Sequence, residues 1–468
     1  MTQTVSHHAF VAAPNAALQA DIHTACSIVR MLFGPPETRA FAVHYWDGTV
    51  ETPAKDQEPS FTFIVRRPGA LRRMLLPPSE LALGEAYVHD DFDIAGDIEA
   101  AVGLTEQIAA RMRSPLRLAQ LVRLVQRLPT DDFASSDGTR SHRTAALTRT
   151  RHSRQRDAAA VRAHYDVGNA FYALWLDQRM IYSCAYFPTG AETLDEAQTA
   201  KLEHICRKLR LRPGERLLDI GCGWGGLVQY AAERYGVDAL GITLSVPQAE
   251  SARERIRAAG LADRCRIEVQ DYRDLRAYGV FDKVVSVGMF EHVGHAKLPG
   301  YFAMVSRLVR PGGLFLNHGI AATAPTTRGF VQRQIERVVL QPGAFIDRYV
   351  FPDGELTSPG ESIRIAERAG LETRDVENLR EHYALTLRQW VRRLEAHRME
   401  AIDLVGEQTY RVWRVYMAGS AHAFSTGRIQ VIQALYSKQR ADGTSGVPLS
   451  RADIYDECIP QRLAQRGE

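Results

Sequence analysis

Between Leu217 and Gly236 the chain reads LLDIGCGWGGLVQYAAERYG. An apolar run carries one acid, Asp219; a turn built on Gly221, Gly223, Gly225 and Gly226 follows, and a helical pattern starts at about Leu227. Small residues at such a turn let the backbone approach a ligand and present amides at a helix N-terminus, which suits a pyrophosphate or a carboxylate. Gly221, Gly223 and Gly226 also satisfy GxGxxG, so a dinucleotide must be weighed. That ligand wants an acid about twenty residues on, at the end of the second strand, to hold its ribose hydroxyls. The position reads GITLS, with Thr243 and Ser245 and no acid. The acids stand elsewhere: Asp219 before the glycines, and Asp271, beside Gln270, after the third strand. S-adenosylmethionine suits that distribution, with amides for its amino-acid end, hydroxyl partners for its ribose, and Asp271 to accept from the adenine amino group. The residues point to a methyltransferase.

Such residues need a scaffold to converge. From about residue 157, RLLDI, DALGITL, RCRIEVQ, FDKVVSV and GLFLNHG alternate with helical stretches. That order predicts an α/β fold, a parallel sheet covered by helices on both faces. With a last strand after Pro311-Gly312-Gly313, it is the order of a Rossmann-like class I methyltransferase over residues 157–440. Residues 388–440 read as helical apart from a break near Ser425-Thr426-Gly427, and 441–468 as a C-terminal tail. Residues 1–130 predict a smaller α+β domain. Its strands are expected at FAVHYW (41–46) and FTFIVR (61–66), with a turn at Asp47-Gly48 and helices around LRRMLLPP and IEAAVGLTEQIAARM. No catalytic constellation assembles there.

Composition narrows the class. A chain of 468 residues suggests two to three domains, and 45% apolar with 24% charged residues is ordinary for a globular protein. A net charge of +3 is too near neutral for a nucleic-acid coat, and the NPPY-type motif of base-methylating enzymes is absent. No apolar run is long enough to span a membrane, and with Arg30 the first basic residue no secretory signal is expected. Cys26, Cys184, Cys206, Cys222, Cys265 and Cys458 form neither a zinc pattern nor a disulfide framework, so no metal and a reduced, cytoplasmic setting are expected. Charge is concentrated between Arg111 and Arg156: eleven arginines against Asp131, Asp132 and Asp137. Its first part places Leu121, Leu124, Val125 and Leu128 at helical spacing; residues 131–156 read as a mobile linker. This stretch is either a solvated connector or an attractor of anionic lipid headgroups, at about 1 kcal/mol per exposed arginine.

Further segments flank the cofactor residues: HYDVGNAFYALWLDQRMIYSCAYF (164–187), QDYRDL, VGMFEHVG (287–294) and LFLNHGI (314–320). Together with DIGCGWGG, the chain from about Ala163 to Lys438 resembles the cyclopropane-fatty-acid synthase family. More weakly, LGEAYVHDDFDIAGDI (83–98) resembles that family's lipid-side domain. The resemblance implies transfer of a methyl group from S-adenosylmethionine to a cis double bond of an unsaturated phospholipid acyl chain, followed by ring closure, at the membrane surface. It further implies bound bicarbonate, held by Cys184 through its backbone amide, Glu291, His318, Ile320 through its backbone, and Tyr383 in EHYALTL. For the cofactor it implies Tyr182 and Ser183 at the amino-acid end and Thr243 through Gln248 at the ribose. Asp219, Gly221, Gly223, Gly225, Gln270, Asp271 and Tyr272 complete that set.

The chemistry accounts for these residue types. An isolated alkene is a feeble nucleophile, so rate must come from positioning in a dry pocket. Methyl transfer leaves a carbocation, which aromatic faces stabilise; Tyr165, Tyr182, Tyr186, Phe187 and Phe290 are candidates. A protein carboxylate beside the cation could be alkylated, which favours a small, replaceable base. Plainer roles stand beside these: Cys184 as a buried apolar residue, His318 as a partner for backbone, Tyr383 as core. Glu291, after VVSVGMF, is expected to face a cleft at a strand's carboxyl end. The segment TAPTTRGFVQRQIERVVLQPG (323–343) reads as an amphipathic helix, offering Phe330, Val331, Ile335, Val338 and Val339 to a lid or acyl channel. Addition of a methyl branch, methylation of a small amine, and lipid binding without catalysis remain alternatives. A homodimer would let two basic faces engage one membrane.

Overall fold

The computed structural model describes residues 16–54, 58–111, 114–130, 153–156, 164, 167–323 and 343–455. Tyr165, Cys458, Arg113, Arg140, Arg143, Arg149, Arg151 and the expected lid helix with Phe330 through Val339 lie outside the described residues. Two units separate among those described: residues 16–130 with 343–345, and residues 153–323 with 346–455.

In the first unit, helix Ala16–Phe33 turns Ile22, Ala25, Val29 and Leu32 inward at three- and four-residue spacing. A four-stranded sheet comprises β1 (Ala42–His44), β2 (Val50–Glu51), β3 (Phe61–Val65) and β4 (Phe92–Gly96), in the order β2-β1-β3-β4. The expected turn joins β1 to β2. The Asp47 carboxylate accepts from the Thr49 amide at 2.9 Å, and Gly48 takes a φ of +90° that a side chain would strain. In β3, Phe61, Phe63 and Val65 alternate inward. The basic stretch begins with helix Pro115–Arg127, capped by Ser114. It buries Leu121 and Val125 and leaves Arg117, Arg123 and Arg127 in solvent.

The second unit is a seven-stranded sheet with helices on both faces. Its strands are β5 (Arg216–Ile220), β6 (Asp238–Thr243), β7 (Cys265–Val269), β8 (Phe281–Val287), β9 (Val309–Ala322), β10 (Glu372–Asn378) and β11 (Ile429–Ser437). The order is β10-β11-β9-β8-β5-β6-β7, parallel except for β11, which runs against both its neighbours. Alternate residues feed separate cores: Leu217, Val285, Leu314 and Leu435 on one face, Leu218, Val284, Phe315 and Ala434 on the other. The class I methyltransferase architecture expected from the alternating strands is present.

Three local expectations change. Residues 429–437, expected as helix, form β11. Seven of its nine residues are buried, so both faces are covered and no period-two pattern survives to distinguish strand from helix. The expected tail is docked as far as Tyr455: helix Ala452–Tyr455 buries Ile454, and Asp453 accepts from Arg210 Nε at 2.6 Å. At the end of the expected linker, Arg154 pairs with Asp274 at 2.9 Å and Arg156 makes a two-pronged bridge to Asp353. These two arginines are therefore engaged inside the second unit.

Candidate active site

The chain leaves β5 toward β6 on one side, and β8 lies on the other, so the carboxyl end of β5 opens a crevice at the point where strand order reverses. Gly221, Gly223 and Gly225 all take positive φ there, +86°, +53° and +77°. A side chain at Gly221 would press on Met289 at 3.0 Å, whereas one at Gly223 would meet nothing within 4 Å and stand in open space. Asp219 is buried, and its Oδ1 has no hydrogen-bond partner among the described residues. Burial pushes its carboxyl up to about 7, with Lys201 pulling the other way. At the end of β6, Thr243 Oγ1 donates to Gln248 Oε1 at 2.9 Å and accepts from the Ser245 amide at 3.2 Å. The Gln270 amide donates to Thr243 O at 3.0 Å, bringing the end of β7 alongside. Asp271, expected to accept from an adenine amino group, has a competitor. It takes the Arg273 amide at 2.9 Å and the Arg273 guanidinium at 2.8 and 2.6 Å. Burial opposes its charge, yet those bonds hold the carboxyl below the usual range. Tyr272 meets the ring of Tyr301 edge-on at 5.5 Å.

A second cluster gathers around β9 and β11, with members from the turn after β8 and from helix Arg380–Ala396. Glu291, in the short turn Phe290–His292 after β8, accepts the Ile320 amide at 2.6 Å. Gly319 permits this, because a Cβ there would lie 2.3 Å from the Phe290 ring. His318 faces Gln433 directly across β11, and its Nδ1 accepts from Gln433 Nε2 at 3.0 Å. With the Gln433 amide in this orientation the imidazole carries its proton on Nε2. Burial, reinforced by Lys201 and Lys208, holds it well below the usual range, so the ring is neutral. Both His318 Nε2 and Glu291 Oε2 are buried without a partner among the described residues. Burial pushes the Glu291 carboxyl up to about 7. Cys184 Sγ donates to Ala185 O at 3.2 Å and to Leu379 O at 3.8 Å. Leu379 O also accepts the Tyr383 amide at 3.1 Å, and the Leu379 amide donates to Val431 O at 2.9 Å. Val431 in turn pairs in register with Ile320. These bonds link the backbone segments that carry the five residues expected to hold an anion. Ile320 differs in one respect: its amide is directed to Glu291.

Comparison with known proteins decides the family. The mycolic acid cyclopropane synthetase family profile matches residues 152–434. The chain belongs to that family. A domain of unknown function matches residues 28–113. A probable fatty acid methyltransferase of Pseudomonas putida is 43% identical over 401 residues, 85% of this chain and 92% of its own length. The cyclopropane-fatty-acyl-phospholipid synthase of Escherichia coli K12 is 34% identical over 384 residues, 81% and 88% of the two chains. The crystal structure of mycolic acid cyclopropane synthase CmaA1 complexed with SAH and CTAB matches with a TM-score of 0.55 at 34% identity, over 60% of this chain and 97% of that one. This cyclopropane synthetase homologue is therefore an S-adenosylmethionine-dependent methyltransferase by family, as the resemblance implied.

Around the named aromatic candidates stand residues that carried no sequence expectation, Trp175, Trp390, Trp413 and Tyr416 among them. Tyr182 sits in an aromatic cluster with Trp175, Trp390 and Trp413 at centroid distances of 5.5, 5.2 and 6.0 Å, and its hydroxyl meets that of Tyr416 at 3.1 Å. Tyr186, named for cation stabilisation, instead stacks between His204 and His382 at 4.4 and 4.8 Å. Phe290 packs over Gly319. Gln198, Lys201 and Gln433 escaped notice because polar residues on buried faces leave no periodic signal.

Proposed function

We propose that the chain methylates the cis double bond of an unsaturated phospholipid acyl chain and closes a cyclopropane ring with bicarbonate as base. The observation that carries this reading is that Glu291 Oε2 and His318 Nε2 are both buried without a partner among the described residues, on segments tied together by the Gly288 amide to His318 O at 2.8 Å and the Ile320 amide to Glu291 Oε1 at 2.6 Å. Bicarbonate fits that pair, because its oxygens accept while its own hydroxyl donates. Glu291 and His318 would hold it, with Cys184 and Tyr383 adjacent, and Ile320 would act by fixing Glu291. The cofactor would lie along Tyr182, Ser183, Asp219, the three positive-φ glycines, Thr243, Gln248 and Gln270 to Tyr272. When bound, S-adenosylmethionine supplies an electrophilic methyl group and bicarbonate a replaceable proton acceptor. The chain's own contribution is orientation and exclusion of water. The indole faces of Trp175, Trp390 and Trp413 offer electron density to a cation formed beside Tyr182.

A second reading, methyl-branch addition without ring closure, draws on the name of the relative at 43% identity, a probable fatty acid methyltransferase. Either reaction belongs at an anionic membrane surface on the cytoplasmic side, which the exposed Arg117, Arg123 and Arg127 would favour. A homodimer would double that contact. No helix among the described residues is long and apolar enough to cross a membrane. Mass spectrometry of lipids from cells expressing the protein is the test. A gain of about 14 mass units with loss of the double bond is expected for ring formation, and about 16 for a reduced methyl branch. Unchanged phospholipids would overturn both readings.

A further inference from the structure

Helix Leu194–Leu209 opens with a capping box between Thr193 and Glu196, yet its buried side is not purely apolar. Gln198 Nε2 donates to the carbonyls of Ile181 and Ser183 at 3.3 and 2.9 Å. Nearly one turn on, Lys201 Nζ donates to Ser183 Oγ at 3.0 Å. Two side chains of one helix thus hold the Ile181–Ser183 segment. The preceding turn is equally fixed: Asp177 accepts the Ile181 and Arg179 amides at 2.7 and 2.9 Å, and Met180 takes a φ of +58°. Lys201 is only 2% exposed. The titratable groups that face it are Asp177, Cys184 and Asp219, and His318 also feels its charge. A buried ammonium is costly where an apolar side chain would serve packing better. Its bond to Ser183 Oγ and its attraction for the acid that opens the glycine turn give that charge a use.

We propose that Lys201 is a positioning residue of the methyl-donor site, holding Ser183 Oγ at the cofactor's amino-acid end and setting a positive charge opposite Asp219. The inference rests on the reading of residues 182–183 and 219–226 as the S-adenosylmethionine site. Burial brings Lys201 down to about 8 and takes Asp219 up to about 7, so near neutral pH each charge supports the other. Removing the ammonium removes the charge that opposes the effect of burial on Asp219.

Calorimetric titration of the full chain with S-adenosylhomocysteine, from about pH 6 to 9, tests this. Absence of binding to the unaltered protein would overturn the site reading itself. Given that binding, Lys201→Met is expected to weaken affinity about tenfold at neutral pH and to move the midpoint of its pH dependence upward. Lys201→Arg should restore the midpoint. A merely structural lysine would lower thermal stability without moving that midpoint. Ser183→Ala removes the hydroxyl and leaves the charge, so it should weaken binding severalfold with the midpoint unmoved. Lys201→Met with unaltered affinity and midpoint overturns the inference; if that variant does not fold, unaltered affinity in Ser183→Ala does so.

Discussion

The two halves of the site are made of different material. At the carboxyl end of β5 the chain offers backbone: three glycines in left-handed conformations, with open space where a Gly223 side chain would stand. On β9, β11 and the turn after β8 it offers buried side chains, Glu291, His318 and Gln433, whose hydrogen bonds leave Glu291 Oε2, His318 Nε2 and Gln433 Oε1 without partners among the described residues. The amides of a backbone cradle have no proton to gain or lose near neutral pH, so that apart from Asp219 beside them this half fails when bulk is added. A side-chain pocket keeps its shape under isosteric change and fails when a charge or proton is misplaced. The halves should therefore break in different ways.

The largest effect is expected in the cradle. Gly223→Val combines a strained φ with a side chain in the crevice, and calorimetry should show at least a hundredfold loss of S-adenosylhomocysteine affinity in a folded protein. Retained affinity would remove the glycine turn from the cofactor site. In the other half, Glu291→Gln keeps an oxygen for the Ile320 amide but removes the charge. Turnover should fall roughly tenfold to a thousandfold, the range for loss of one orienting group, while cofactor affinity stays within about twofold. The unaltered enzyme should slow in a carbonate-free assay and recover when bicarbonate is added. Indifference to bicarbonate, with Glu291→Gln inactive, would make Glu291 itself the base.

The same contrast explains what the sequence could disclose. Positive φ and close approach restrict a position to glycine, so the cradle is written in residue type and survives reading one segment at a time. Glu291, His318 and Tyr383 come from three distant segments, and nothing in their spacing says that they meet; only the family resemblance placed them together. Gln433 could not be placed at all while residues 429–437 read as helix, because its pairing with His318 exists only in the register of β11 against β9. β10 was missed for the opposite reason, since ETRDVEN is a charged edge strand without an apolar face. Lys201 and Gln198 are ordinary polar residues of a helical stretch until burial is known.

Protonation should separate the halves next. The Glu291 carboxyl stands at about 7 in the folded chain against an ordinary 4.5, with burial as the first cause. If its ionised form is needed, turnover should drop about tenfold per pH unit below that point, and Glu291→Gln should lack this limb. Stability carries the opposite sign. Between the two values the folded state binds more protons than the unfolded state, so stability declines as pH rises through that window and stays reduced above it. Glu291→Gln should therefore melt higher than the unaltered protein at pH values above about 7, and the gain should vanish below the ordinary carboxylate range. A melting difference independent of pH would mean that Glu291 is not held in this state.

The smallest effect is expected at Cys184, where the side-chain pocket borrows from the backbone. The thiol already donates to the carbonyls of Ala185 and Leu379, and burial pushes its pKa up, so it is neither a thiolate nor directed at the Glu291–His318 pair. What this position would offer an anion, on the proposed reading, is its amide, which substitution does not remove. Cys184→Ala should then cost about 1 kcal/mol of stability from lost packing and change turnover by about twofold at most. The intact protein should resist thiol alkylation at this site as long as it stays folded. Turnover reduced a hundredfold in a folded Cys184→Ala protein, with cofactor affinity intact, would move the sulfur into the chemistry and erase the distinction between the two halves at this residue.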